Sequence, residues 1–137
     1  MKYENKLFNI NIDYFNENNI LDNSAVGCGV YIIQLIKKDS NETHNLYVGQ
    51  SLTILKRGGE HLYELFKNPN YLGLTDDNMN DSNLTIKFKV LESCNMENRY
   101  IKEKDYINIC SPILQKDIND HMLNIEDKLD IIKKILY

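Results

Sequence analysis

The segment from Gly29 to His61 limits this chain more than any other. It reads GVYIIQLI over 29–36, a polar link over 37–45, and LYVG over 46–49. Apolar residues then recur at Leu52, Leu55, Leu62, Leu65 and Phe66 with helical spacing. Two β-rich runs across a polar link predict an antiparallel hairpin with a longish loop, followed by a helix for which Ser51 is a fitting N-cap. Gly29 and Gly49 stand at opposite ends of the two runs, where glycine permits close backbone approach or positive φ. Gly58-Gly59 falls inside the helix, costs about 2 kcal/mol relative to alanine, and marks where the helix is expected to bend or break. Tyr31 and Tyr47 share a sheet face in a suitable register, and Arg57 and His61, four residues apart, project from one helix face.

The rest of the chain arranges itself around that segment. Residues 1–26 form an Asn-rich N-terminal arm in which 7–12 alternates as a short edge strand would, and 15–21 reads as a helical turn or a loop. Residues 67–83, with Pro69, Gly73 and repeated Asn and Asp, read as a loop, and 75–83 as its solvated part. Residues 84–91 alternate strictly and predict a third strand with Ile86, Phe88 and Val90 on one face. A helix over 96–109 is stopped by Ser111-Pro112, because proline disfavours helical backbone in the residue before it. The last unit, 117–137, carries a helix opened by Asn124, acidic at its start and basic near its end as the macrodipole prefers. Its stripe of Ile125, Leu129, Ile132 and Leu136 is expected to bury against the domain or at an interface with a second chain, as in a homodimer. The order is β-β-α-loop-β-α-tail-α, one α/β domain over 27–116 with an arm and a closing helix.

With 137 residues the chain has the length of one domain that buries a core without staples. A net charge of -4 weighs against non-specific affinity for nucleic acid, although a local basic cleft can coexist with acidic flanks. Three cysteines without CxxC spacing argue against a disulfide framework or a zinc ribbon and for a reduced, cytoplasmic setting. No apolar h-region follows the first residues and no run approaches the roughly 20 residues of a membrane span, so no membrane association is expected.

Two tyrosines, an arginine, a histidine and one carboxylate, Glu103, make a set able to act on a phosphodiester. A carboxylate can hold a divalent metal that polarises phosphoryl oxygens, and arginine can offset transition-state charge. A tyrosine or histidine can take a proton from water, although a phenol near pKa 10 is a poor base without cations beside it. Taken singly these residues have plainer readings. A strand tyrosine is commonly core, a lone arginine is commonly surface, and Glu103 has rivals in Glu92, Glu97 and Asp105. His44 and His121 sit in polar stretches and read as solvent residues, and Cys28 as a small buried one.

In this order Gly29-Val30-Tyr31, Tyr47-Val48-Gly49, Arg57, His61, Glu103 with Tyr106-Ile107, and Pro112 resemble the GIY-YIG nuclease family, over roughly 28–115. The resemblance implies an α+β fold with a small three-stranded antiparallel sheet flanked by helices. It implies DNA phosphodiester hydrolysis with one Mg²⁺ or Mn²⁺ bound mainly by Glu103. Arg57 would position the scissile phosphate, Tyr31 and Tyr47 would orient water and phosphate, and His61 would contact the phosphate or assist proton transfer. It leaves open which of these is the base. Gly49, Gln50, Ser51 and Gln115 would contact the substrate, with Gln115 standing where the family often has asparagine. Tyr31, Tyr47, Arg57 and Glu103 are then expected to converge on one shallow basic face. The rival reading is a catalytically silent fold of this type, used as a protein- or DNA-binding module.

Overall fold

The computed structural model describes residues 26–115 and 123–137 in full and residues 10–13 as backbone. The turn expected over 15–21 and His121 lie outside the described residues. The two β-rich runs pair as antiparallel strands β2 (Gly29–Lys37) and β3 (Glu42–Ser51), with Tyr31 opposite Gly49 and Ile33 opposite Tyr47. Both strands reach into the polar link, so the long loop expected there shrinks to a turn at 38–41. Asn41 closes it at φ 56°, a left-handed conformation that asparagine tolerates. The cross-strand ion pair of Lys37 with Glu42, at 3.7 Å, stands beside the turn.

A third strand, β4 (Leu84–Ser93), pairs antiparallel with the other side of β2. Its alternation buries Ile86 and Phe88 as the pattern predicts, with Val90 half-buried against the same core and Leu84 buried as well. These three antiparallel strands with their helices make a mixed α+β fold. A short strand β1 (Ile10–Asp13) runs parallel to the outer edge of β4, giving the order β1-β4-β2-β3. The alternating stretch of the arm thus supplies an edge strand.

Helix α1 (Ile54–Lys67) begins later than Ser51 suggests. Thr53 occupies the N-cap, and Ser51 Oγ accepts a hydrogen bond from Thr53 N–H at 3.0 Å, tightening the link from β3. The helix runs unbroken through Gly58-Gly59, because Ile54, Gly58, His61 and Leu65 form one buried stripe and tertiary packing outweighs helix propensity. Gly59 itself faces open space. Gly59→Ala is therefore expected to stabilise the protein by about 0.5–1 kcal/mol, read as a higher denaturant midpoint with unchanged slope.

The segment read as a loop after α1 is largely structured. A 3-10 turn at Pro69–Leu72 leads through Gly73, at φ 76°, to the short helix α2 (Asp76–Met79), which carries a Thr75–Asn78 capping box. Leu72, Leu74, Asn78 and Met79 are buried, so the part expected to be solvated contributes to the core. Past β4, a 3-10 turn at Met96–Asn98 enters α3 (Arg99–Cys110), which ends at Ser111 in the left-handed region just before Pro112. Helix α4 (Ile125–Leu136) starts at Asn124, whose side chain accepts from Asp127 N–H at 2.8 Å. It packs on the domain through Ile132 and Leu136 of the expected stripe, while Lys128 is buried beside them, Leu129 is half-buried and Ile125 is exposed.

The sheet is covered on both faces. Tyr31, Ile33, Leu35, Tyr47 and Phe88 pack beneath α1, the 69–72 turn and α4. Val30, Ile32 and Val48 pack against Tyr106, Ile107 and Cys110 of α3. Among the described residues no helix is long and apolar enough to cross a membrane.

Candidate active site

The hairpin register places Tyr31 and Tyr47 on the α1 face with ring centroids 6.4 Å apart. His61, on the buried stripe of α1, lies 5.4 Å from the first ring and 5.9 Å from the second. Its Nε2 is hydrogen-bonded to the Tyr31 hydroxyl at 2.8 Å, and its Nδ1 to the hydroxyl of Tyr71. Tyr71 belongs to the 69–72 turn and stacks on the imidazole at 5.7 Å. Burial, with the nearby Arg57 guanidinium adding to it, pushes the His61 pKa down to about 3. The ring is neutral at pH 7, with one N–H donor and one bare acceptor. Both ring nitrogens are thus engaged by tyrosine hydroxyls.

The Tyr31 phenol crosses over Gly49. A Cβ at residue 49 would lie within 2.5 Å of Tyr31 Cζ and closer still to Oη. Close approach, rather than an unusual φ, explains this glycine. Gly29 answers to the same cause, since a Cβ there would overlap the Glu92 carbonyl oxygen and Ile54 Cδ1.

Glu103 sits on the sheet-facing side of α3, one turn before Tyr106 and Ile107, and is 2% exposed. Its carboxylate accepts a hydrogen bond from the Gln50 N–H, while Oε2 is buried without a partner. Burial raises its pKa to about 7, and the Gln50 bond partly opposes that rise. The rival carboxylates differ. Glu92 is bonded to Lys102 at 3.1 Å and to the Tyr106 hydroxyl at 3.0 Å, and Glu97 and Asp105 are exposed. Glu103 alone of the four is a buried acid with an unsatisfied oxygen.

The expected shallow basic face does not form. Tyr31 and Tyr47 are each 1% exposed, and Glu103 lies beneath α3 on the opposite side of the sheet. Arg57 is half-exposed, 3.7 Å from Glu60, beside a surface hollow of about 440 Å³. That hollow is of mixed charge, with Lys56 and Arg57 set against Glu60 and Glu64. Alternation is the physical reason for the split: consecutive residues of a strand face opposite ways, so Gly49 underlies Tyr31 while Gln50 meets Glu103 and α3. Ser51, the last residue of β3, leads the chain through Thr53 into α1 and Arg57.

Gln115 has another task than a spare amide. Its Oε1 accepts from Val48 N–H at 3.0 Å and its Nε2 donates to Val48 C=O at 2.6 Å, capping the edge of β3. The Gln50 side chain accepts from Arg99 Nε at 2.8 Å. Arg99 and Tyr71 are additions that the sequence reading missed. Arg99 carried a signal, standing four residues before Glu103 on the same helix face. Tyr71 carried none, being one aromatic residue in an apparent loop.

Among the described residues no group of three or more His, Cys, Asp or Glu side chains could hold a metal ion. The orphaned Oε2 of Glu103 nevertheless fits a hard cation, because Mg²⁺ takes only one or two carboxylates and completes its shell with water and phosphate oxygens. No protein-family model, curated protein or solved structure matches this chain.

Proposed function

We propose that this chain is a metal-dependent endonuclease of GIY-YIG type that hydrolyses DNA phosphodiester bonds. The observation that carries the reading is Glu103, an acid 2% exposed with one oxygen unpartnered. Leaving a buried charged group unsatisfied costs several kcal/mol, and a site that receives a cation turns that cost to use. Glu103 would hold Mg²⁺ or Mn²⁺, which when bound supplies Lewis-acid polarisation of the phosphoryl oxygens. Arg57, half-exposed in the first turn of α1, offsets charge developing on the phosphate. On this reading Tyr31 and Tyr47 orient water and phosphate, which requires them to open to solvent from the face opposite Glu103, with His61 hydrogen-bonded to Tyr31. Arg99, held against Gln50, adds positive charge on the Glu103 side.

The burial of Tyr31, Tyr47 and Glu103 favours a second reading, a catalytically silent module that binds protein or DNA and keeps these side chains as core. One experiment separates the two. Supercoiled and linear DNA are incubated with the purified protein and Mg²⁺ or Mn²⁺, beside Arg57→Ala and Glu103→Ala. Cutting that needs metal and falls roughly 100- to 1,000-fold in each variant is the expected result. A folded wild-type protein that cuts no double-stranded, single-stranded or branched DNA leaves the silent module in place.

A further inference from the structure

The buried lysine of the C-terminal helix has no place in the function argued so far. Lys128 is 5% exposed, within an otherwise apolar stripe of α4, and burial pushes its ammonium below the ordinary range. Its Nζ donates to the main-chain carbonyl of Tyr71 at 2.6 Å and stands 5.5 Å from the centroid of the Tyr71 ring. The backbones on either side are in close contact as well. A Cβ at Gly73 would overlap the Lys128 carbonyl oxygen and come within 2.7 Å of Ile132 Cγ1. The 69–72 turn is thus clamped onto α4, and Tyr71 is presented to His61 by that clamp.

We propose that Tyr71, held by Lys128, is a positioning residue that fixes the His61 tautomer with its proton on Nε2, so that His61 donates to the Tyr31 oxygen. The argument is one of proton accounting. A neutral imidazole offers one donor and one acceptor, and both of its nitrogens face tyrosine hydroxyls, each able to donate or accept. The symmetry is broken on the Tyr71 side, where a cation on its carbonyl and beside its ring makes the phenol the better donor and the poorer acceptor. Tyr71 O–H therefore donates to Nδ1, and Nε2–H donates to Tyr31 Oη. A donor on that oxygen stabilises negative charge there and directs the Tyr31 hydroxyl proton away from the ring. The significance for catalysis rests on the nuclease reading, in which Tyr31 faces the reacting water; the tautomer itself does not.

The test is a long-range ¹H–¹⁵N correlation spectrum of the full chain labelled at histidine, at pH 7. The chain has three histidines, and His44→Gln and His121→Gln assign the other two signals. His61 is expected to show a protonated Nε2 and a bare Nδ1. In Tyr71→Phe, and more weakly in Lys128→Met, the pattern is expected to move toward the other tautomer or a mixture. On the nuclease reading kcat falls roughly 10- to 100-fold with KM unchanged, as when a partner that orients a functional histidine is removed. A wild-type spectrum with the proton on Nδ1 overturns the proposal without recourse to any variant. A tautomer unmoved in a folded Tyr71→Phe also overturns it, even if cleavage is lost. The expected spectra in a protein that cuts no DNA would remove the nuclease reading and leave the tautomer assignment standing.

Discussion

The Glu103→Gln variant is expected to be more stable than the wild-type protein at pH 8 and equally stable at pH 4. The folded chain holds the Glu103 proton up to about pH 7, against an ordinary value of 4.5. Below pH 4.5 both folded and unfolded chains carry the proton, and the residue makes no difference. Between about 4.5 and 7 the unfolded chain releases it while the folded chain keeps it, so stability falls as pH rises. Above pH 7 the full cost is present, on the order of 3 kcal/mol at about 1.4 kcal/mol per pH unit. Glutamine is neutral and nearly isosteric, so thermal unfolding should separate the two proteins by roughly 10 °C at pH 8 and converge in acid. His61 imposes the opposite slope, because the unfolded chain takes up its proton near pH 6.5 and the folded chain only near 3. Its contribution is lost as pH falls across that interval, and both proteins share this acid arm. Added Mg²⁺ should raise the wild-type midpoint at pH 8 and leave the variant unmoved, since a ligand stabilises only the state that binds it. A difference between the two proteins that is constant with pH would show that Glu103 is not the buried acid described here.

The second large effect is expected from a single methyl group. Gly49→Ala places a Cβ within 2.5 Å of Tyr31 Cζ. Tyr31 cannot yield cheaply, being 1% exposed, bonded to His61 at 2.8 Å and packed beside Tyr47. Overpacking of this kind costs about 1–3 kcal/mol, so the denaturant midpoint should drop. On the nuclease reading a displacement approaching about 1 Å at Tyr31 should also lower cleavage roughly 100-fold. Adding Tyr31→Phe should not restore stability, because Cζ still overlaps the new Cβ and the buried His61 Nε2 loses its partner. An alanine variant as stable as the wild type would mean that the Tyr31 ring does not lie over residue 49.

The strands were legible in the sequence because alternation survives folding intact. Ile86 and Phe88 are buried as their spacing predicts, and Tyr31 and Tyr47 share a face. Helix interruption at Gly58-Gly59 was not a sound inference, since propensity carries about 1 kcal/mol per residue and the stripe from Ile54 to Leu65 carries more. The ordered 69–79 segment stayed hidden because capping by Thr75 and Asn78 and burial of Leu72, Leu74 and Met79 depend on partners distant in the chain. The candidate site was legible as a set of residues and not as an arrangement. Nothing in the spacing of Tyr47 and Glu103 reveals that they lie on opposite faces of the sheet, or that Tyr71 completes the hydrogen bonding of His61.

Strand β1 has a consequence for how the protein keeps from associating wrongly. Ile10–Asp13 lies against Ile86–Lys89, more than seventy positions along the chain, while Gln115 and the main chain of Ile113 and Leu114 bond to the other outer strand between Asn45 and Val48. The outer sides of β4 and β3 thereby each have part of their row of amide and carbonyl groups taken up from within the same molecule. Such rows are templates for adding a stranger's strand. A pairing that distant in sequence carries a large loop-closure cost, and a chain lacking residues 10–13 would leave the Ile86–Lys89 edge open to pairing with another copy of itself.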